Sequence, residues 1–379
     1  MPFPNMKFLG TRDENNKFEL SSIFLLVLCF ILGGIAGVVA IFICRYILSF
    51  GGSDSTEKHG ISTNTATRIG GVLIVVFLVL HISFQIIVME YQVFAAETYW
   101  LIAAGLVFFL VGLYEDLRGA LSARFRFGLM LLLAGIWVSL FPDFVLRETA
   151  IDWVDSLFFS NSVSIFFMSC ICLVFLTNAF NTADGANGLV SGISLIVVLA
   201  LTEVVVSSIQ PLLYAVAVSC VLFLIFNLGT GRFFLGEGGA YFLGAVVALF
   251  IIRASNETDV STWYLIALIT YPILDLVWSV SRRLAKGSSP FTPDNEHLHN
   301  LIIAYVVRSN LLPVQANTIT GLGIAALFSG IPYVLFFTKT IGATSDLWLV
   351  ICGFLLIIYL TVWHWLYRKI CIVDGHNSF

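Results

Sequence analysis

Residues 163–188 read "VSIFFMSCICLVFLTNAFNTADGANG", an apolar run that ends in a segment with three asparagines, one aspartate and two glycines. A second apolar run begins at Leu189. Because a membrane-spanning helix needs about 20 mainly apolar residues, the pattern predicts two spans joined by a polar loop at 178–188. Such polar residues have no obvious place in so apolar a stretch unless they bind a ligand.

The whole chain shares this apolar character. Of its 379 residues, 59% are hydrophobic and only 11% are charged, and the mean hydropathy is +0.97. A soluble domain usually carries about 25% charged residues, so the composition predicts a membrane protein. The net charge of −4 and the lack of a long basic tract argue against nucleic-acid binding.

Eleven apolar runs are candidate spans. They lie at 21–48, 69–89, 96–114, 127–141, 163–179, 189–207, 210–227, 238–253, 262–280, 316–338 and 346–366. We therefore predict an all-α polytopic integral membrane protein with about eleven transmembrane helices and no soluble domain. One membrane domain covers 21–370, between a polar N-terminal segment at 1–20 and a C-terminal tail at 371–379.

Charge distribution predicts the orientation. Eleven spans place the two termini on opposite sides of the membrane, and cytoplasmic loops carry an excess of Lys and Arg. With the N-terminus outside, most of the 19 Lys and Arg residues fall in inner loops or in the tail. We therefore predict a periplasmic N-terminus and a cytoplasmic C-terminus in a bacterial inner membrane.

This topology gathers the polar loops of the chain on the cytoplasmic face. The loops lie at 49–68, 115–126, 178–188, 228–240 and 281–315. They contain carboxylates and amides, whose oxygens suit Mg²⁺, a hard cation that takes phosphate oxygens as further ligands. They also contain arginines and histidines that can offset phosphate charge. The sequence therefore predicts a magnesium-assisted phosphate site on the inner face, with Mn²⁺ as an alternative metal.

Each motif taken alone also fits an ordinary structural role. The pair Glu115-Asp116 could be a solvated helix end, Asp184 a turn residue, and "GEGGA" a close helix contact. Their joint occurrence on one face favours a shared site. Zinc fits that site less well than magnesium, because His297 and His299 are two residues apart and no cysteine shows ligand spacing.

Three motifs that follow the acidic pair resemble a known family. They are "NAFNTADGANGL" at 178–189, "FLGEGGAYFLG" at 234–244 and "SPFTPDNEHLHNLI" at 289–302. In this order they are similar to the polyprenyl-phosphate N-acetylhexosaminyl-1-phosphate transferases of the WecA and MraY type (glycosyl transferase family 4). The eleven predicted spans resemble the WecA branch. The resemblance implies transfer of a sugar 1-phosphate from a UDP-N-acetylhexosamine to undecaprenyl phosphate, with release of UMP, as the first step of a lipid-linked surface polysaccharide such as O-antigen. The resemblance also suggests a homodimer.

The resemblance also implies catalytic and metal-binding residues. The acid of the FLG motif, Glu237, and the second asparagine of the NxxN motif, Asn181, hold Mg²⁺ on the nucleotide pyrophosphate. Glu115 and Asp116 act at the lipid phosphate, where Asp116 is a candidate base, and Asp184 belongs to the same acidic cluster.

Further residues are implied at the substrates. His297 and His299 lie near the phosphates, and Lys58 in the first inner loop matches a family lysine of the site. Asn178 and Arg68 are additional candidates for substrate binding. These assignments predict a site at the membrane surface that binds a nucleotide sugar and a lipid phosphate.

Three positions depart from the usual family pattern. Glu115 and Glu237 stand where the family usually has Asp, and each extra methylene moves a carboxylate by about 1 Å, which octahedral Mg²⁺ tolerates poorly unless the loop compensates. Asn187 stands in place of the second acid of the DGxDGL motif. Because an amide can both donate and accept hydrogen bonds, Asn187 is a candidate reader of the uracil.

Three alternatives remain from the sequence. The first is an enzyme of the MraY branch that acts on UDP-MurNAc-pentapeptide, although "HLHN" lacks the run of three histidines of that branch. The second is a transporter, although transporters place ionisable groups near the bilayer midplane and here few lie inside spans (Asp275, His81 and His364). The third is a non-catalytic family member. No role follows for Asp275 from the sequence.

Overall fold

A computed structural model describes residues 31, 35, 39, 68, 70–88, 96–141, 144–146, 149, 151–205, 209–230, 233–309 and 311–372. The first helix with described bounds begins at Gly70. The first predicted span, at 21–48, and Lys58 lie outside the described residues, apart from three helical positions.

The regular secondary structure of the described residues consists of helices joined by turns and loops. In order, the helices are α1 (Gly70–Val88), α2 (Ala96–Arg118), α3 (Ala123–Leu140), α4 (Asp152–Phe158), α5 (Ser162–Ala183), α6 (Leu189–Thr202), α7 (Gln210–Thr230), α8 (Gly236–Glu257), α9 (Thr262–Leu268), α10 (Thr270–Ala285), α11 (Leu298–Val307), α12 (Pro313–Ala325), α13 (Ile331–Phe337) and α14 (Leu347–Tyr367). Single π-helical turns at Ala326–Gly330 and Arg368–Ile372 continue α12 and α14. No β-strand occurs in the part of the chain that the structure describes.

The fold is that of an all-α polytopic membrane protein. Among the described residues, seven helices are long and apolar enough to cross a bilayer, and an eighth span results if the bent pair α9 and α10 is counted as one. Each of the ten predicted runs from residue 69 onward coincides with a helix. The total of eleven spans and the orientation of the termini stay predictions.

Two predicted runs differ from straight spans. The run at 189–207 forms only the 14-residue helix α6, which ends at Thr202 before Glu203. The run at 262–280 breaks at Ile269, where α9 and α10 meet at 77°. The bend turns α10 away from the axis of α9, and the buried face of α10 carries the polar residues Asp275, Ser279 and Arg282.

Helix α8 is the centre of the bundle. Of its most apolar 18-residue stretch, 83% is buried inside the bundle. Helices α1, α2, α5 and α6 pack against it. Glycines allow this close approach: Gly71 of α1 faces the backbone of Gly239, and Gly112 of α2 faces the backbone of Glu237. Small residues at helix contacts are the usual device for dense packing in membranes, since they permit backbones to meet.

The start of α1 is bonded to the segment that precedes α8. The amides of Gly70 and Gly71 donate to the carbonyls of Phe234 and Leu235 at 3.0 and 2.8 Å. The first amides of a helix have no partner within the helix, so these bonds satisfy two of them and fix α1 beside the N-terminus of α8. The start of α1 and the start of α8 therefore lie side by side.

The contact between α2 and α8 predicts the effect of adding one methyl group. A Cβ at Gly112 would fall 2.5 Å from the carbonyl carbon of Glu237. We expect Gly112→Ala to lower the free energy of unfolding by about 1–3 kcal/mol, the usual cost of overpacking, measured as a lower Tm in detergent. The matched control is Gly128→Ala in α3, where an added Cβ has no neighbour within 4 Å. Equal melting temperatures for the two variants would contradict the close contact.

Candidate active site

Residues of seven helices, namely α2, α5, α6, α7, α8, α11 and α12, line a cavity of about 440 Å³. Polar side chains from distant parts of the sequence line it: Arg68, Asp116, Asn181, Asp184, Asn187, Glu237, Asn227, Asn300 and Asn317. The loop at 178–188 follows α5, and the FLG segment opens α8. The structure therefore brings together most of the residues that the sequence predicted for one site.

The amides at the start of α8 bind two aspartates. The Asp116 carboxylate, from the end of α2, accepts from the Glu237 amide at 3.0 Å and from the Gly238 amide at 2.8 Å. The Gly236 amide donates to the Asp184 carboxylate. Residue Leu235 at the N-cap position has no side-chain cap of its own, so the two aspartates satisfy the free amides and complement the positive end of the helix dipole.

Gly236 makes this arrangement possible. Its φ is +74°, a conformation that favours glycine. A Cβ there would collide with the Arg68 carbonyl and approach the Asp116 carboxylate. The glycine of the FLG motif is therefore needed for both its backbone conformation and its close packing.

The two aspartates are electrostatically coupled. Burial, and next the negative charge of Asp116, raise the pKa of Asp184 to about 7, while Arg68 and the Gly236 amide oppose the rise. An acid whose pKa is raised by a neighbouring carboxylate favours a bound cation. Arg68 lies close enough to attract both carboxylates.

Arg126 connects the two glutamates that depart from the family pattern. It forms an ion pair with Glu237, and its Nη1 lies 3.8 Å from Glu115 Oε1. Arg126 is in the first turn of α3, which Ser122 caps by accepting from the Phe125 amide. The longer glutamates reach a shared guanidinium.

Glu115 and Asn178 lie outside the cavity lining, as do His297 and His299. The Glu115 carboxylate accepts from the Leu121 amide at 2.8 Å and so fixes the turn between α2 and α3. The Asn178 amide donates to the Val174 carbonyl at 2.8 Å, inside α5. The structure thus separates both residues from the cavity, whereas Asp116 and Asn181 line it.

Asn187 belongs to a buried amide network. Its backbone amide donates to Asn317 Oδ1 of α12 at 2.5 Å, its carboxamide donates to Thr318 Oγ1 at 3.4 Å, and its own oxygen accepts from Asn227 at 3.4 Å. The side chain is 3% exposed. The network ties the 178–188 loop to α7 and α12, and its role toward a uracil stays a prediction.

The two predicted histidines are neighbours but face different groups. Their rings stack at 5.4 Å between centroids with 6° between planes. His297 Nδ1 bonds Asp275 at 2.8 Å, and its Nε2 lies 3.4 Å from Asp294. His299 Nδ1 bonds the Tyr271 hydroxyl at 2.9 Å, and its Nε2 faces Gly185 of the 178–188 loop.

The acids of the 281–315 loop are ion-paired. Asp294 Oδ2 accepts from Arg283 Nε at 2.8 Å, and the Glu296 carboxylate accepts from Lys286 at 2.7 Å. Burial alone would raise the pKa of Asp294, but the neighbouring His297, Arg283 and Arg282 together hold it below its usual value. These acids shape the loop that presents the histidines.

Sequence reasoning missed four residues of this region. Arg126 was only one of the arginines of the 115–126 loop, and Asp275 received no role although an ionisable residue in an apolar run is a signal of function. Asn227 and Asn317 are single amides at helix ends, for which the sequence offers no separate signal. They matter only because the fold brings them to Asn187.

The oxygen donors suit magnesium in kind. Asp116, Asp184, Glu237 and Asn181 line one cavity and each has a side-chain oxygen, the ligand atom that Mg²⁺ prefers. Within the described ranges, no group of three His, Cys, Asp or Glu side chains is arranged to hold a metal ion by itself. Such a set fits an ion that keeps several waters and takes substrate phosphates as ligands.

Comparison with known proteins gives a family match at this site. Residues 98–255 match the model of "Glycosyl transferase family 4". Over 194 residues the chain is 32% identical to an undecaprenyl-phosphate alpha-N-acetylglucosaminyl 1-phosphate transferase of Thermotoga maritima. This alignment covers 51% of the chain and 57% of the relative.

Two further relatives carry the same name. The Escherichia coli K12 protein is 28% identical over 178 residues, 43% of this chain and 48% of the relative. The Yersinia pestis protein is 32% identical over 136 residues, 33% of this chain and 37% of the relative. The chain thus spans about half the length, or less, of the curated relatives it matches.

The contact between Gly185 and His299 can be tested without a substrate. A Cβ on Gly185 would collide with the His299 ring, which is buried and bonded to Tyr271. We expect Gly185→Ala to lower the free energy of unfolding by about 1–3 kcal/mol. In a His299→Ala background the same substitution should cost much less, because the colliding ring is gone. Additive effects in this double-mutant cycle, followed by thermal unfolding, would exclude the contact.

Proposed function

We propose that this chain, whose residues 98–255 match the model of glycosyl transferase family 4, transfers an N-acetylhexosamine 1-phosphate from a UDP-sugar to undecaprenyl phosphate. The reaction releases UMP and forms the lipid-linked first sugar of a surface polysaccharide. The names of the relatives make UDP-N-acetylglucosamine the first donor to test.

One observation carries this proposal. Asp116, Asp184, Glu237 and Asn181 converge with Arg68 on one cavity at the end of an apolar helix bundle. A water-soluble nucleotide sugar can enter such a cavity from solvent, while a lipid phosphate can reach it from the adjacent bilayer. The positive-inside prediction assigns this face to the cytoplasm, where nucleotide sugars are made.

The residues of the site serve electrostatic and positioning roles. The reaction joins a lipid phosphate oxygen to the sugar-bearing phosphorus of the donor and breaks the bond to UMP, so two anions must approach each other. Arg68 and His299 offset part of that charge. A phosphate monoester is already largely ionised at neutral pH because its second pKa is about 6, so the attack needs little help from a base.

Asp116 suits a positioning role better than a base role. Both of its oxygens accept backbone amides of α8. These bonds fix the start of α8 and the direction of the Glu237 side chain. Asp116 thereby sets the shape of the acidic cluster rather than offering a free oxygen to a proton.

Mg²⁺ is the cation we propose for this cluster, with Mn²⁺ as an alternative. Glu237 and Asn181 would hold it, beside the coupled pair Asp116 and Asp184. When bound, the ion supplies positive charge to the pyrophosphate and the leaving UMP. Arg126 contacts the Glu237 carboxylate, so Arg126 and the ion share a ligand.

UMP release by purified protein tests the function. We expect release to need Mg²⁺ or Mn²⁺ and undecaprenyl phosphate together. Glu237→Gln should lower the rate by about 10²- to 10³-fold, as for loss of one charge-stabilising group in other enzymes. Glu237→Asp keeps the charge and should retain more activity. The control is Glu257→Gln at the opposite end of α8, where Glu257 pairs with Arg253, and it should behave as wild type.

Two results would oppose the function. One is UMP release that does not depend on the lipid acceptor. The other is equal activity of Glu237→Gln and Glu257→Gln.

Competition between Arg126 and the cation predicts a second effect. Arg126→Ala removes the positive charge between Glu115 and Glu237, so we expect the apparent dissociation constant for Mn²⁺ to fall by about tenfold. Electron paramagnetic resonance of Mn²⁺ measures this binding without turnover. Arg124→Ala, on the exposed side of the same helix turn, is the control. An unchanged constant for Arg126→Ala would show that Arg126 and the ion do not share Glu237.

A further inference from the structure

Asp275 is a buried acid to which the proposed mechanism gives no task. It lies in α10, after the break in the bent span, and its side chain is 0% exposed. A carboxylate inside a membrane bundle is costly unless it is bonded, and such residues usually serve function. Its partners therefore indicate its role.

Both oxygens of Asp275 are used. Oδ2 accepts from His297 Nδ1 at 2.8 Å, and Oδ1 accepts from the Tyr359 hydroxyl at 2.8 Å and from the Leu298 amide at 3.3 Å. Leu298 is the first residue of α11, and His297 at its N-cap position provides no side-chain cap. Asp275 thus caps α11 and holds the preceding histidine at the same time.

The bond to Asp275 fixes the roles of the His297 nitrogens. With a proton on Nδ1 shared with Asp275, His297 presents Nε2 to Asp294 at 3.4 Å. The ring therefore lies between two carboxylates and is directed away from the cavity. His297 is buried, and Asp275 and Asp294 occupy both of its nitrogens.

His299 is the ring that reaches the substrate loop. It stacks in parallel on His297 at 5.4 Å. Its Nδ1 bonds Tyr271, which belongs to the same helix as Asp275, and its Nε2 faces Gly185. Gly185 lines the cavity beside Asp184, so a chain of contacts leads from Asp275 through His297 and His299 to the site.

We propose that Asp275 is a positioning residue that holds His299 against the 178–188 loop, through His297 and through its own carboxylate, whose Oδ2 lies 3.9 Å from His299 Nδ1. His297 supports the stacked rings and His299 contacts Gly185 of the loop that lines the cavity, so the two histidines have different tasks. This inference rests on the proposed function for its effect on turnover. Its structural part, the control of both rings by Asp275, stands apart from that function.

Asp275→Asn tests the positioning role in turnover. Asparagine keeps the size of the side chain but loses the charge that holds His297. Misplacement of a group at the site by about 1 Å can cost about 10²-fold in rate, so we expect kcat to fall by about 10- to 100-fold while KM for the UDP-sugar changes by less than about 3-fold. His297→Gln should lower kcat similarly, and the double variant should be no worse than either single variant.

The matched control is Ser329→Ala. Ser329 is also fully buried, and its hydroxyl donates to the Leu268 carbonyl at 2.7 Å beside the same helix break. It bonds neither histidine. A general loss of stability at the break would affect this variant too, so wild-type kcat in Ser329→Ala with low kcat in Asp275→Asn supports positioning. Equal kcat values in these two variants overturn it.

Histidine ring nitrogens give a readout that needs no activity. In protein labelled with ¹⁵N-histidine, Asp275→Asn should shift the ring signals of both His297 and His299, assigned with His297→Gln and His299→Gln. Unchanged His299 signals overturn the proposal. If wild type fails to release UMP, the proposed function falls, but these signals still decide whether Asp275 controls the rings. If Asp275→Asn does not fold, Tyr359→Phe, which removes one donor to Asp275, should shift the same signals.

Discussion

The bonds between the first amides of α8 and the carboxylates of Asp116 and Asp184 hold the site together. They connect the ends of α2 and α5 to the most buried helix of the bundle. The same amides would be unsatisfied in an apolar setting, so two acids are stabilised where acids are otherwise expensive. Because the acids complete the helix end, the structure of the bundle and the charge of the cavity depend on one set of contacts.

The two glutamates gain a physical explanation from Arg126. A single guanidinium lies between Glu115 and Glu237, and each extra methylene extends a carboxylate toward it. The turn that carries Arg126 is itself fixed by Glu115 through the Leu121 amide. Glu115 and Glu237, where the family usually has Asp, therefore form one connected cluster with Arg126. The positive charge of Arg126 balances these acids beside the cavity.

The bent span holds the two histidines. Its 77° bend separates α9 from α10, and α10 carries Tyr271 and Asp275. There the acid and the phenol bind the two histidines. Ion pairs of Asp294 with Arg282 and Arg283 close the loop that leads to them. The histidines are thus held by Tyr271 and Asp275 of α10, and His297 also lies beside Asp294 of the loop.

The sequence by itself determined the membrane class, the positions of the apolar helices from residue 69 onward, and the gathering of Arg68, Asp116, Asn181, Asp184 and Glu237. Hydropathy and motif order are local properties, so they can be predicted from the sequence alone. Tertiary structure alone decided which polar atoms remain available: it left Glu115 and Asn178 bonded to backbone groups outside the cavity lining, buried Asn187 among amides, and placed His297 beside Asp275. Those outcomes depend on partners far apart in sequence, such as Glu237 and Asp116 at a separation of 121 residues, and a hydrogen bond across that distance exists only once the helices have packed.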